Sequence, residues 1–149
     1  MNNILIRKAK ESDIPAIEKL MSELIETMDD TEGINIQLVP ENCRNLLSNA
    51  NSHFLVAEIE GIIVGFINFT TRKTVLHRGP SGLIDELVVT KSHRNKGIGK
   101  QLLSAVIKKC KQLGCCELEV STEIANTKAR EFYKKCGFEE RGILLEMDL

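Results

Sequence analysis

Leu83-Ile84-Asp85-Glu86-Leu87-Val88-Val89 and, a few residues on, Arg94-Asn95-Lys96-Gly97-Ile98-Gly99 are the stretches around which this chain is arranged. The first is a short apolar, β-branched run and reads as a buried strand carrying two acids. After the second, Ile98, Leu102, Val106, Cys110 and Leu113 recur every three or four residues with lysines between them, an apolar stripe on a helix that Gly114 closes. A strand, a basic glycine-bearing turn and a helix make an anion site. The start of a helix leaves about four N–H groups without intrahelical partners and carries roughly half a positive charge. Gly97 and Gly99 lack Cβ atoms and let a bulky diphosphate approach those amides, while Arg94 and Lys96 add side-chain charge. The expected ligand is a pyrophosphate.

Spacing excludes two common phosphate loops. A single residue separates Gly97 from Gly99, whereas a P-loop has about four between its glycines. Leu102 stands where the dinucleotide fingerprint needs a third small residue. What remains is Arg-x-x-Gly-x-Gly after a strand of the form Glu-Leu-Val-Val and before an amphipathic helix. This resembles the acetyl-CoA-binding core of the GNAT superfamily of N-acetyltransferases. A second segment follows in that family's order: Asn126, then Arg130-Glu131-Phe132-Tyr133, then Gly137-Phe138. The resemblance covers most of the C-terminal two-thirds of the chain.

The rest of the chain reads as one domain, 1–149, without repeat, low-complexity tract or linker. Ile4-Leu5-Ile6-Arg7 is a short strand; Ser12-Asp13 offers an N-cap to a helix with Ile14, Ile17, Leu20 or Met21, and Leu24 on one face. Asp29-Asp30-Thr31-Glu32-Gly33 breaks it, and a second short helix runs from Pro40-Glu41 to Leu46-Leu47. His53–Ile59 and Ile62–Phe69 form a hairpin across Glu60-Gly61. Glu117–Ser121 is a strand expected parallel to the one at Leu83, because a helix joins them. A helix from Asn126 or Thr127 presents Ala129, Phe132, Tyr133 and Cys136, and alternating Ile143, Leu145, Met147 and Leu149 predict a final strand. The fold class is α/β, a mixed sheet flanked by helices.

Formal charge is −1, which gives no global attraction to nucleic acid or anionic membranes, and the lysines at 108, 109 and 111 are a solvated helix face without interleaved aromatics. No apolar run approaches the ~20 residues of a membrane span, and Met1-Asn2-Asn3-Ile4 leads straight into a strand, so a cytoplasmic protein is expected. The cysteines at 43, 110, 115, 116 and 136 lack metal-ligand spacing, so no metal is expected, and the adjacent Cys115-Cys116 read as small reduced core residues at a strand entrance. His53, His77 and His93 are scattered, and His93 reads as a solvated loop residue.

The resemblance implies a GNAT-like fold whose two central parallel strands splay, with acetyl-CoA as co-substrate in the gap. It implies that the pantetheine arm bonds main-chain groups of Leu87 and Val89 with Val88 between them, and that the N–H near Val88 or Val89 polarises the thioester carbonyl. It further implies that the pyrophosphate sits over Arg94, Asn95, Lys96, Gly97, Ile98 and Gly99 with Lys100 at its edge, and that Asn126 touches the cofactor arm. Tyr133, the one tyrosine of the chain, matches the family's general acid to the leaving thiolate. A base or a water chain must free the attacking amine's lone pair. Adjacent strand residues point to opposite faces, so at most one of Asp85 and Glu86 looks directly into the pocket; Glu86 is favoured, with Asp85 the other candidate. The expected activity is transfer of an acetyl group to a primary amine of a small molecule by direct attack in a ternary complex. The segment Ile84–Val89 with Ser121-Thr122 and Phe132-Tyr133 looks somewhat like the aminoalkylphosphonate acetyltransferase branch, and Asp29, Asp30 and Glu32 favour a cationic acceptor. Acetylation of a protein N-terminus or lysine, or a non-catalytic acetyl-CoA-binding module, are the alternatives. The family's habit of pairing makes a homodimer admissible.

Overall fold

The computed structural model describes residues 3–149. It comprises two compact units, one ending at Glu119 and the other running from Val120 to Leu149. The elements of the first are β1 (Ile4–Lys8), α1 (Ile14–Glu26), α2 (Val39–Leu47), β2 (Ser52–Ile59), β3 (Ile62–Arg72), β4 (Ser81–Val89) and α3 (Ile98–Gln112). Strand β5 (Glu117–Val120) ends where the second unit begins, and α4 (Thr127–Lys135) lies within the second.

The strands form one sheet in the order β1-β2-β3-β4-β5. The first three neighbours pair antiparallel. The turn between β2 and β3 is made by Glu60 and Gly61, both at positive φ (50° and 81°), the primed geometry that matches strand twist. The last pair is parallel. It starts where the Cys116 N–H donates to the Pro80 carbonyl at 2.9 Å. With four residues against the nine of β4, β5 covers about 13 Å of a strand about 30 Å long. From about Asp85 onward, the outer edge of β4 has run past the end of β5.

Each face of the sheet is closed by helices. On one, Ile14, Ile17 and Leu20 of α1 and Cys43 of α2 pack with Phe54, Val56, Phe66 and Val88. On the other, Ile67 and Phe69 alternate with Phe66 along β3, and α3 covers them with Ile98, Leu102, Leu103, Val106 and Cys110, all buried. Gly114 closes α3 at φ 75°, with the Cys115 N–H reaching back to the Cys110 carbonyl at 2.9 Å. Asp13 does not cap α1 with its side chain. It turns instead to Arg7, bonded through both carboxylate oxygens at 2.8 and 2.9 Å, and to the Lys10 N–H.

Two sequence expectations fail here. No strand forms over residues 143–149; Ile143, Leu145, Met147 and Leu149 are exposed. Alternation becomes a strand only when a neighbouring edge supplies the ladder, and this segment pairs with none of the described strands. What holds its start is Glu140, which accepts from Arg130 of α4 at 2.8 Å and lies 3.3 Å from Lys134. Nor are Cys115 and Cys116 both core residues: Cys115 is half-buried and Cys116 is exposed, whereas Cys43 and Cys110 are buried.

Candidate active site

The site grows from an irregularity in β4. Asn68 of β3 faces Glu86, but its neighbour Phe69 faces Ile84, which leaves Asp85 as an extra residue, a β-bulge. Asn68 stabilises it. It is buried in an otherwise apolar run, and its side-chain oxygen accepts the Glu86 N–H at 2.9 Å, doing what a ladder carbonyl would otherwise do. The bulge also undoes the strict alternation expected of Asp85 and Glu86. The Thr70 hydroxyl is the neighbour that partly offsets the effect of burial on Asp85, and Asn68 does the same for Glu86. Asn68 and Thr70 share one face of β3, so both acids lie on the side covered by α1 and α2.

Their environments differ. Asp85 is the more exposed. Glu86 is largely covered, and its Oε2 is buried without a hydrogen-bond partner among the described residues. Burial pushes the Glu86 carboxyl above the usual carboxylate range, and the Asp85 charge adds to this. Cys43 is close enough that the Glu86 charge joins burial in raising its thiol.

Main-chain direction follows from two bonds. The N–H groups of Glu86 and Thr90 both point to β3, Thr90 donating to the Val64 carbonyl at 2.8 Å. Alternation therefore turns Val88 toward β3 as well, and Leu87 and Val89 toward the outer edge that β5 leaves uncovered. The Val88 amide is thus not a polarising donor, and its side chain is buried in the core. The Val89 carbonyl does point outward, because it accepts from Arg94 Nε at 2.9 Å. That bond folds the Arg94 side chain onto the strand end and gives it an anchoring duty the sequence did not suggest.

Beyond a 3-10 turn, Lys91–His93, the chain reaches the anion loop. Asn95 and Gly97 have φ of 61° and 80°. Left-handed residues spaced in this way belong to backbone that lines anion cradles. A Cβ on Gly97 would meet nothing within 4 Å, so its backbone angle and not crowding demands glycine, and the space above the loop is open. No side chain caps α3, and its first helical bond is donated by Gln101 to the Gly97 carbonyl at 3.1 Å. The amides of Ile98, Gly99 and Lys100 precede that bond and are the orphan donors of the helix start. Glu23 of α1 braces the approach to the loop. It accepts from the Thr90 hydroxyl at 2.8 Å and from the Lys91 N–H at 2.9 Å. Neither Glu23 nor Asn68 was expected from the sequence; Asn68 alone left a signal, a polar residue inside Phe66-Ile67-Asn68-Phe69.

In the second unit Asn126 caps α4, its side-chain oxygen accepting the Ala129 N–H at 3.1 Å. Tyr133 lies edge-on between Phe132 and Phe138, with ring centroids 5.1 and 5.5 Å away. Burial pushes its phenol up to about 12. The helix ends as Gly137 predicts, at φ 100° with the Phe138 N–H bonded to the Tyr133 carbonyl. Two surface grooves beside Arg44, one between the starts of α1 and α2 and the other between the end of β1 and the end of α2, involve none of the residues of β4 or the anion loop.

A mixed sheet with a parallel pair, β5 shorter than β4, and an uncapped helix start is the fold of the acyl-CoA N-acyltransferases. Residues 17–138 match the acetyltransferase (GNAT) family, and the chain belongs to that family. It is an acyltransferase, with acetyl-CoA as co-substrate. The N-acetyltransferase YhfO of Bacillus subtilis is 33% identical over 138 residues, covering 91% of this chain and 89% of its own. The aminoalkylphosphonate N-acetyltransferase of Salmonella typhimurium is 30% identical over 135 residues, covering 91% and 84%. Among solved structures, the aminoglycoside N-acetyltransferase AAC(6')-Iy in complex with CoA superposes with a TM-score of 0.86 at 21% identity, over 100% of this chain and 96% of its own. No helix among the described residues is long and apolar enough to cross a membrane.

Proposed function

We propose that this acyltransferase moves the acetyl group of acetyl-CoA to the primary amine of a small molecule, by direct attack within a ternary complex. The observation that carries this reading is the outer edge of β4, where the main-chain groups of Leu87 and Val89 face away from β3 beside the buried Glu86 oxygen that has no partner among the described residues. An extended pantetheine arm adds to such an edge as a strand would, bonding Leu87 and the Val89 N–H, and the diphosphate lies over residues 94–100. By resemblance to the family, Asn126 is the side chain assigned to the arm. Because Val88 is turned to β3, the donor that polarises the thioester carbonyl is Leu87, the outward amide next to Glu86.

The chemistry balances with two side chains. Glu86, as carboxylate, takes a proton from the incoming ammonium, directly or through water, and the freed nitrogen lone pair attacks the thioester carbon. The tetrahedral intermediate collapses with cleavage of the C–S bond. The departing sulfur takes its proton from the hydroxyl of Tyr133, the general acid by resemblance to the family, and the phenolate so formed takes the excess proton of the amide nitrogen. Glu86 gives its proton to water, so that ammonium and thioester become amide, thiol and one released proton. A phenol held up to about 12 stays protonated throughout the working range. Asp85, more exposed and on the same face, attracts the cationic acceptor. The resemblance to the aminoalkylphosphonate branch and the exposed acids Asp29, Asp30 and Glu32 support a cationic or zwitterionic small amine.

The test is a panel of aminoalkylphosphonates, amino sugars, aminoglycosides, polyamines and peptides, scored by CoA release from acetyl-CoA. Turnover confined to small amines is expected. Turnover of peptides alone, or none with any amine despite CoA binding, contradicts the reading.

A further inference from the structure

Glu23 sits three residues before the end of α1 and reaches the far end of β4. Its two bonds, 2.8 Å from the Thr90 hydroxyl and 2.9 Å from the Lys91 N–H, use both carboxylate oxygens. Those donors hold its carboxyl below the usual range, the Lys91 N–H contributing most. α1 is itself held by Ile17 and Leu20, buried in the cluster that contains Val88. One carboxylate therefore ties the first residues of the anion loop to a fixed helix. Immediately beyond them Arg94 is pinned to the Val89 carbonyl. The placement is unexpected on charge alone, since a carboxylate near a diphosphate site repels the ligand. Its value lies in geometry.

We propose that Glu23 is a positioning residue for the cofactor: by fixing Thr90 and Lys91 it holds the loop from Arg94 to Gly97, and the amides that follow, in the arrangement that receives the diphosphate. This rests on the reading that the loop binds acetyl-CoA. Geometry and charge make opposite forecasts for Glu23→Gln. The amide keeps one acceptor and loses the negative charge, so a purely electrostatic role improves affinity for CoA, whereas a positioning role weakens it.

The experiment is calorimetric titration of the full chain and its Glu23→Gln, Glu23→Ala and Thr90→Val variants with two probes, CoA and pantetheine, which lacks the diphosphate. Circular dichroism checks that each variant is folded, and Thr90→Val keeps the test available should Glu23→Ala unfold. The expected result is a CoA Kd raised roughly ten-fold in Glu23→Ala and by a smaller factor in Glu23→Gln and Thr90→Val, with the Kd for pantetheine unchanged. An unchanged or improved CoA Kd in Glu23→Gln, or parallel losses for both probes, overturns the proposal while wild-type binding leaves the cofactor reading intact. Failure of the wild type to bind CoA overturns both.

Discussion

The side-chain oxygen of Asn68 accepts the backbone N–H of Glu86 at 2.9 Å, so an amide on β3 completes the ladder at the point where β4 carries an extra residue. This bond fixes which way the neighbouring main chain faces. Glu86 and Thr90 turn inward, and Leu87 and Val89 turn to the edge beyond β5. Asn68→Ala strands a buried N–H, which costs about 1–3 kcal/mol. Denaturant unfolding should show that loss, and turnover should fall with it as the bulge relaxes and Glu86 drifts from the acyl carbonyl.

Glu86 makes a linked forecast for activity and stability. Its carboxyl titrates above the usual range because it is buried, and only the carboxylate can accept a proton. With Glu86 as the proposed base, the rate should therefore rise with pH through that elevated pKa. Glu86→Gln removes this acid limb and lowers kcat/KM by about 10²–10⁴. The stability sign is opposite. A carboxyl whose folded pKa lies above its unfolded value destabilises the fold once pH exceeds the unfolded value, near 4.3. Glu86→Gln should thus raise Tm at pH 8 and leave it nearly unchanged at pH 4; a lowered Tm at pH 8 contradicts the burial argument.

Tyr133 is held protonated up to about 12 by burial. Tyr133→Phe keeps the ring between Phe132 and Phe138 and loses the proton. Turnover should drop by about 10²–10⁴ with the CoA Kd unaltered. Unaltered turnover removes the general-acid role.

Gly97 and Gly79 separate cofactor binding from folding. At φ 80°, Gly97→Ala meets no neighbour but pays roughly 1–2 kcal/mol for the left-handed backbone, or moves the loop to escape it. The CoA Kd should rise several-fold. A Cβ on Gly79 runs into the Gly114 carbonyl oxygen, far from the anion loop in sequence. Gly79→Ala should lower Tm and leave the CoA Kd of the folded protein unchanged.

Periodicity made most elements legible. The stripe from Ile98 to Cys110, the Glu60-Gly61 turn and the terminators Gly114 and Gly137 are local signals, and each element forms within a few residues of its expected place. Non-local features were not legible. A bulge is a relation between two strands, so nothing in Ile84-Asp85-Glu86 announced that the alternation would break there. The same applies to Glu23, which bonds residues 67 and 68 positions away. Ile143–Leu149 shows the converse: a strand pattern that pairs with none of the described strands stays irregular.

The outward direction of Leu87 and Val89, together with the open start of α3, is the centre of this account, and amide hydrogen exchange resolved by residue tests it most directly. Saturating acetyl-CoA should slow exchange at Leu87, Val89, Ile98, Gly99 and Lys100 and leave Val88, already turned to β3, unchanged. Bound acetyl-CoA with no slowing at these five amides, or with protection confined to the grooves beside Arg44, would contradict it.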